Sequence, residues 1–188
     1  AGALGFKGFT TARPGEQVLL PGNLAELFEE LRTFNGVALI HAEDESILKH
    51  NEQKLKEAGR KDFLSVTEWR SREAETTAVK QVVDMAEATG ARAVVAHVSL
   101  PELIDYIWLA RGRGTRVYSE TCPQYFTLTE EDLAENGPFN KFTPPMRGKA
   151  AAEELWKDLR MEKIDMVNSD HVPFPIAEKE KGLDDIWK

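Results

Sequence analysis

The chain contains one cysteine, Cys122, so no intrachain disulfide can form, which fits a reducing compartment. No apolar run approaches the roughly 20 residues needed to cross a bilayer. The opening stretch Ala1 to Phe9 is too short and wrongly flanked for a signal peptide. A cytoplasmic protein without a membrane partner is therefore expected. Positive charge is in deficit: 24 Lys and Arg stand against 32 Asp and Glu, a net charge of −8. That argues against a general nucleic-acid binder, which needs a basic face to neutralise phosphates. There is no GxGxxG and no P-loop, so nucleotide binding has no sequence support. Internal repeats, low-complexity stretches and interdomain linkers are also missing, as is any His-x-His pair.

What is present is an ordinary globular composition, 41% hydrophobic and 30% charged over 188 residues, enough for one domain with a core. Short apolar runs alternate with amphipathic segments. Strands are predicted over Ala3–Phe9, Val37–His41, Ala93–His97, Arg116–Glu120 and Ile164–Asn168. None alternates cleanly between apolar and polar, as suits strands of a parallel sheet covered on both faces. Helices are predicted from an Asn23 N-cap, from Glu45 to Ala58, from Thr67 to Gly90, from Pro101 to Gly112 and from Lys149 to Arg160. A β-α-β-α-β-α-β-α-β order with long crossovers fits two architectures, a doubly wound open sheet or part of a (β/α)₈ barrel.

The strands end in chemistry. Lys7 lies in the first, His41 ends the second, His97 the third, and Asp170-His171 follows the fifth. In parallel α/β folds the C-terminal strand ends gather on one rim, so residues distant in sequence converge there. His and Asp are ligand types for zinc-like metals. Singly, each has an ordinary structural role open to it: a capped histidine, an N-capping aspartate, a snorkelling lysine. Together they point to a metal or acid/base site. Cys122, before Pro123 and with no obvious base nearby, is read as structural, and the four tryptophans as packing residues.

Six blocks then appear in one order: Leu4-Gly5-Phe6-Lys7-Gly8-Phe9, Ile40-His41-Ala42-Glu43, Ala96-His97-Val98-Ser99, Glu120-Thr121-Cys122-Pro123-Gln124-Tyr125, Thr143-Pro144-Pro145-Met146-Arg147 and Asn168-Ser169-Asp170-His171-Val172-Pro173-Phe174. The series resembles the cyclic amidohydrolases of the hydantoinase, dihydropyrimidinase and allantoinase type, over almost the whole chain. The resemblance implies an α/β fold, part of a (β/α)₈ TIM barrel covering about strands 4 to 8, with residues 1–188 as one partial barrel domain. The first strands and the family's β-sandwich would lie outside it, and both chain ends are read as cuts in a longer parent. It implies two divalent metal ions, Zn²⁺ by family habit, bridged by a carboxylated Lys7. His41 and His97 would bind one metal. Asp170 would bind the other and shuttle the catalytic proton. Thr143 would set backbone groups beside the ring amide of a small cyclic ureide or amide substrate. A homo-oligomeric parent is expected.

The lysine has a chemical rationale. An amine with a pKa of about 10.4 reacts poorly with CO₂ until it loses its proton, and burial between Phe6 and Phe9 is expected to favour the neutral form. The resemblance also has gaps. The family's His-x-His would lie upstream of Ala1. Ala12 stands where hydantoinases and dihydropyrimidinases usually carry a substrate-contacting tyrosine. Two alternatives accompany the main reading: a dihydroorotase-type hydrolase, and a non-catalytic scaffold that has kept the barrel and lost the metals.

Overall fold

The computed structural model describes residues 2–13, 15 and 17–187. Five strands, β1 (Phe6–Phe9), β2 (Val37–His41), β3 (Arg92–Val95), β4 (Val117–Thr121) and β5 (Met166–Val167), form one sheet in the order β1-β2-β3-β4-β5. Every neighbouring pair is parallel. A doubly wound sheet reverses its strand order at a switch point. This sheet does not, so of the two architectures the pattern left open it is a stretch of barrel wall; the full barrel is not present among the described residues.

Between the strands run α1 (Pro21–Thr33), α2 (Glu45–Glu57), α3 (Ser65–Trp69), α4 (Arg72–Thr89), α5 (Pro101–Gly112), α6 (Pro123–Thr127), α7 (Glu130–Asn136), α8 (Lys149–Arg160) and α9 (Ile176–Asp184), with a 3₁₀ turn at Gly137–Asn140. Local chemistry sets their ends. Asp44 caps α2 by accepting from the Ile47 N–H at 2.9 Å, and Gly90, at φ 69°, takes the left-handed conformation that closes α4. Asn23 is not an N-cap: α1 begins two residues earlier, because Pro21 at its first position already has a helical φ. The helix expected to run on from Thr67 is two helices. Arg70 leaves helical geometry at φ −92°, ψ 63°, and Ser71 starts α4 afresh by accepting from the Ala74 N–H.

One sheet face carries the core. Ala38 and Ile40 of β2, Ala93 and Val95 of β3, and Val117 of β4 are fully buried against Leu24 and Phe28 of α1, Val79, Val82 and Val83 of α4, and Leu103, Ile104 and Ile107 of α5. Each larger side chain buried this way contributes about 1.5–3 kcal/mol. The other face is barer. Lys7, Leu39, Val94 and Tyr118 stand opposite one another across β1 to β4, and none is buried.

Four strands depart from expectation, β4 only by a one-residue shift from Arg116–Glu120 to Val117–Thr121. β1 starts at Phe6 rather than Ala3 and, as an edge strand, has only β2 beside it, so Lys7 is exposed and Phe6 is 42% exposed. The expected burial of Lys7 between Phe6 and Phe9 is therefore corrected. β3 stops at Val95, because His97 turns into the left-handed region at φ 40°. β5 shrinks to two residues, although the Asn168 N–H still reaches the Thr121 carbonyl at 3.0 Å.

Candidate active site at the C-terminal rim of the sheet

β2 delivers His41 to the rim, and the turn after β3 delivers His97. Both rings are buried, at 6% and 2% exposure. They meet edge to face with centroids 4.6 Å apart, and His41 Nδ1 lies 3.0 Å from His97 Nε2. Behind them, His41 Nε2 is 2.8 Å from Glu43 Oε2. The same carboxylate is held by the Arg70 guanidinium. His97 Nδ1 is buried with no hydrogen-bond partner among the described residues. Burial, reinforced by the nearby His41 and Lys7, pushes the His97 pKa well below the usual histidine range, so this imidazole is neutral near pH 7. The left-handed backbone of His97 is of a kind that clusters at functional sites and persists only where surrounding structure enforces it.

The other sequence-predicted residues are arranged more loosely. Lys7 is exposed on the edge strand, yet protein atoms crowd its ammonium enough to lower its pKa, with Asp170 and Glu120 opposing that shift and Arg13 adding to it. Glu120 faces the same region. Desolvation raises its carboxyl pKa, with Asp170 adding to the rise and Asn168 and Lys7 opposing it. Asp170 therefore shares an electrostatic neighbourhood with Lys7 and Glu120, but it is exposed, at φ 46° just past β5, and in no hydrogen-bonding contact with the histidines. Among the described residues, no group of three or more His, Cys, Asp or Glu side chains converges closely enough to hold a metal ion; the imidazole pair is what the fold brings together. Cys122 is buried and its thiol is pushed up to about 12, chiefly by burial, as a structural cysteine requires.

Thr143 is exposed in the segment between the 3₁₀ turn and α8, and its bond to Pro144 is cis. That segment is anchored from within. The Tyr125 hydroxyl donates to the Pro144 carbonyl at 2.7 Å, and Met146 is fully buried. Arg147, 6% exposed, donates through Nη2 to Glu75 Oε2 at 2.8 Å, through Nε to Ser99 Oγ at 3.0 Å and through Nη1 to the Arg70 carbonyl at 3.0 Å. Glu75 in turn accepts from the Ser99 N–H at 2.8 Å. Sequence reasoning gave Glu43, Arg70, Glu75, Ser99 and Arg147 no role. Glu43 carried one usable signal, since two residues past a strand-end histidine is close enough for its carboxylate to reach that ring.

No protein-family model matches the chain. Individual relatives do. An L-hydantoinase of Paenarthrobacter aurescens is 34% identical over 190 residues, an alignment that covers 100% of this chain and 42% of the relative. An allantoinase of Bacillus velezensis is 32% identical over 195 residues, with the same coverage of each. Among solved structures, an L-hydantoinase (dihydropyrimidinase) from Arthrobacter aurescens superposes with a TM-score of 0.95 at 34% identity, covering 99% of this chain and 42% of that one. The chain thus spans about two fifths of the length of the relatives it matches.

Proposed function

Since this chain belongs to the hydantoinase, allantoinase and dihydropyrimidinase branch of the amidohydrolases, we propose that the whole protein hydrolyses a cyclic amide C–N bond in a hydantoin-, dihydropyrimidine- or allantoin-like ring. The observation that carries this reading is the buried pair, His41 Nδ1 facing His97 Nε2 at 3.0 Å on the rim where parallel α/β folds place their sites. The pair fits a divalent cation. Two nitrogens each about 2.0–2.1 Å from a tetrahedral zinc lie roughly 3.3 Å apart, and a neutral His97 offers the lone pair a metal requires. Lys7, carboxylated on Nζ, would bridge this cation to a second one held by Asp170. The two cations, zinc by the nature of the donors, would supply Lewis acidity to the ring carbonyl and to the attacking water.

The protein's own residues would do the rest. Asp170 accepts a proton from the attacking water at a carboxylate oxygen and returns it to the ring nitrogen as the C–N bond breaks, so that a C–O bond replaces C–N and water is consumed. The Thr143 main chain, on a segment anchored by Tyr125 and Arg147, holds the ring amide. At Ala12 there is no phenol for the substrate carbonyl; the backbone N–H there donates to Glu45 Oε2 at 2.6 Å. That weakens a strict dihydropyrimidinase assignment. Residues 1–188 are read as one body of the barrel. No helix is long and apolar enough to cross a membrane, and a cytoplasmic homo-oligomer is the proposed setting. The test is a substrate panel of hydantoin, allantoin, dihydrouracil and dihydroorotate on the whole protein, with zinc content measured in parallel. Turnover of one of the first three with bound zinc is expected. Turnover of dihydroorotate alone would shift the assignment to that hydrolase, and a metal-free, inactive protein would make it a scaffold.

A further inference from the structure

Glu43 has no part in the chemistry above, yet its side chain is wholly buried, with its backbone and Oε2 held by neighbours and Oε1 without a hydrogen-bond partner among the described residues. The Glu43 N–H donates to Thr10 Oγ1 at 3.0 Å, and the Thr10 hydroxyl donates back to the Glu43 carbonyl at 2.8 Å. Arg70 supplies the counter-charge at 2.5 Å. Oε2 then meets His41 Nε2 at 2.8 Å. An ionised carboxylate can only accept, so that ring nitrogen carries the proton, and in a neutral ring Nδ1 is left as a lone pair. Nδ1 is the nitrogen that faces His97. With both rings neutral, the proton between them belongs to His97 Nε2. The far nitrogen of His97 is buried without a partner, so nothing comparable holds that ring in one tautomer.

We propose that Glu43, held by Arg70, is a positioning residue: it fixes the His41 tautomer so that Nδ1 is always presented to a divalent cation, leaving His97 as the ring that must adapt. A cation held by the pair would take the Nε2 lone pair of His97, whose proton would then sit at Nδ1, while His41 would keep its tautomer. The proposal rests on the reading of the two histidines as cation ligands. Zinc alone is the probe. Solid-state ¹⁵N NMR of histidine-labelled protein reads the tautomers with and without zinc. A chromophoric chelator in competition reads zinc affinity for the unaltered protein, for Glu43→Gln, and for Glu43→Leu combined with Arg70→Met, which removes both charges together so that neither is stranded.

His41 should be protonated at Nε2 in both states, and His97 should switch from Nε2–H to Nδ1–H on zinc addition. The double variant, with its helical circular dichroism intact, should bind zinc about 10–100-fold more weakly, the usual cost of losing an orienting partner. Glu43→Gln keeps an acceptor oxygen and should stay within about threefold of the unaltered protein by the same logic. A His41 ring protonated at Nδ1 overturns the proposal without recourse to any variant. Unchanged zinc affinity in the folded double variant removes the positioning role but leaves the histidines as ligands. If the unaltered protein takes up no zinc, the ligand reading itself fails, and the cation half of the proposal with it. Should the double variant not fold, a Glu43→Gln loss of tenfold or more overturns the acceptor role.

Discussion

Lys7 and His97 receive opposite treatment from the fold. His97 is sealed in and neutral, whereas Lys7 stands exposed on an edge strand, its pKa lowered by local crowding and restrained by Asp170 and Glu120. A lowered lysine pKa leaves more neutral amine at a given pH, which is the form that adds CO₂. On the proposal that Lys7 bridges two metals, Lys7→Ala in the whole protein should cost on the order of 100-fold or more in turnover, with partial recovery on adding short-chain carboxylates. Wild-type turnover in that variant would remove Lys7 from the site. The histidines were legible in the sequence because each ends an apolar run, and strand ends in this fold share a rim. The Glu43–Arg70 pair was not. Its partners lie 27 residues apart, and Arg70 points inward only because the chain breaks helix between α3 and α4. The exposure of Lys7 was equally hidden, since neighbours in sequence cannot say which strands flank an edge.

At the level of elements, Arg147 is the knot. One guanidinium joins the Thr143 segment to Glu75 on α4, Ser99 after β3 and the Arg70 carbonyl after α3. Glu75 and Arg147 side chains are 1% and 5% exposed, so removing one strands the other's charge. Arg147→Met should lower unfolding free energy by about 3–5 kcal/mol, and Glu75→Leu combined with Arg147→Met should recover much of that. Denaturant titration checks both. A loss below about 1 kcal/mol for the single variant, the level of a surface pair, would mean that Tyr125 and Met146 hold the segment unaided. Some element boundaries set by local chemistry were readable, although the Pro21 start of α1 and the Ser71 cap of α4 were not. β2 and α8 begin and end at the expected residues, and Gly90 closes α4 as its αL conformation requires. β3 and β5 were read too long. His97 departs into a backbone region that its apolar context gave no reason to expect, and β5 has a partner on one side only.

For the whole molecule, the open sheet has two consequences. β1 and β5 lie at the two edges of the sheet, where the Phe9 carbonyl of β1 accepts from the Leu19 N–H at 2.8 Å, and Leu39, Val94 and Tyr118 leave the inner face partly bare. Exposed edges and apolar faces recruit other chains. The 188-residue chain made alone should therefore self-associate and fail to turn over hydantoin. Sedimentation velocity would report species heavier than the 21.1 kDa monomer, and a lone monomer boundary with full activity would refute this. The strictly sequential strand order has a further effect, on how the chain acquires its shape. Each strand waits only for the one made before it, with a single crossover between them, so no segment has to be threaded between two already in place. Paired residues on neighbouring strands lie from 24 apart in sequence (Ala93 and Val117) to 55 apart (Val37 and Arg92), and the entropy of closing each loop is met one unit at a time. Such a wall can grow outward from β2 and β3 in either direction, much as stacked repeats propagate from any nucleus.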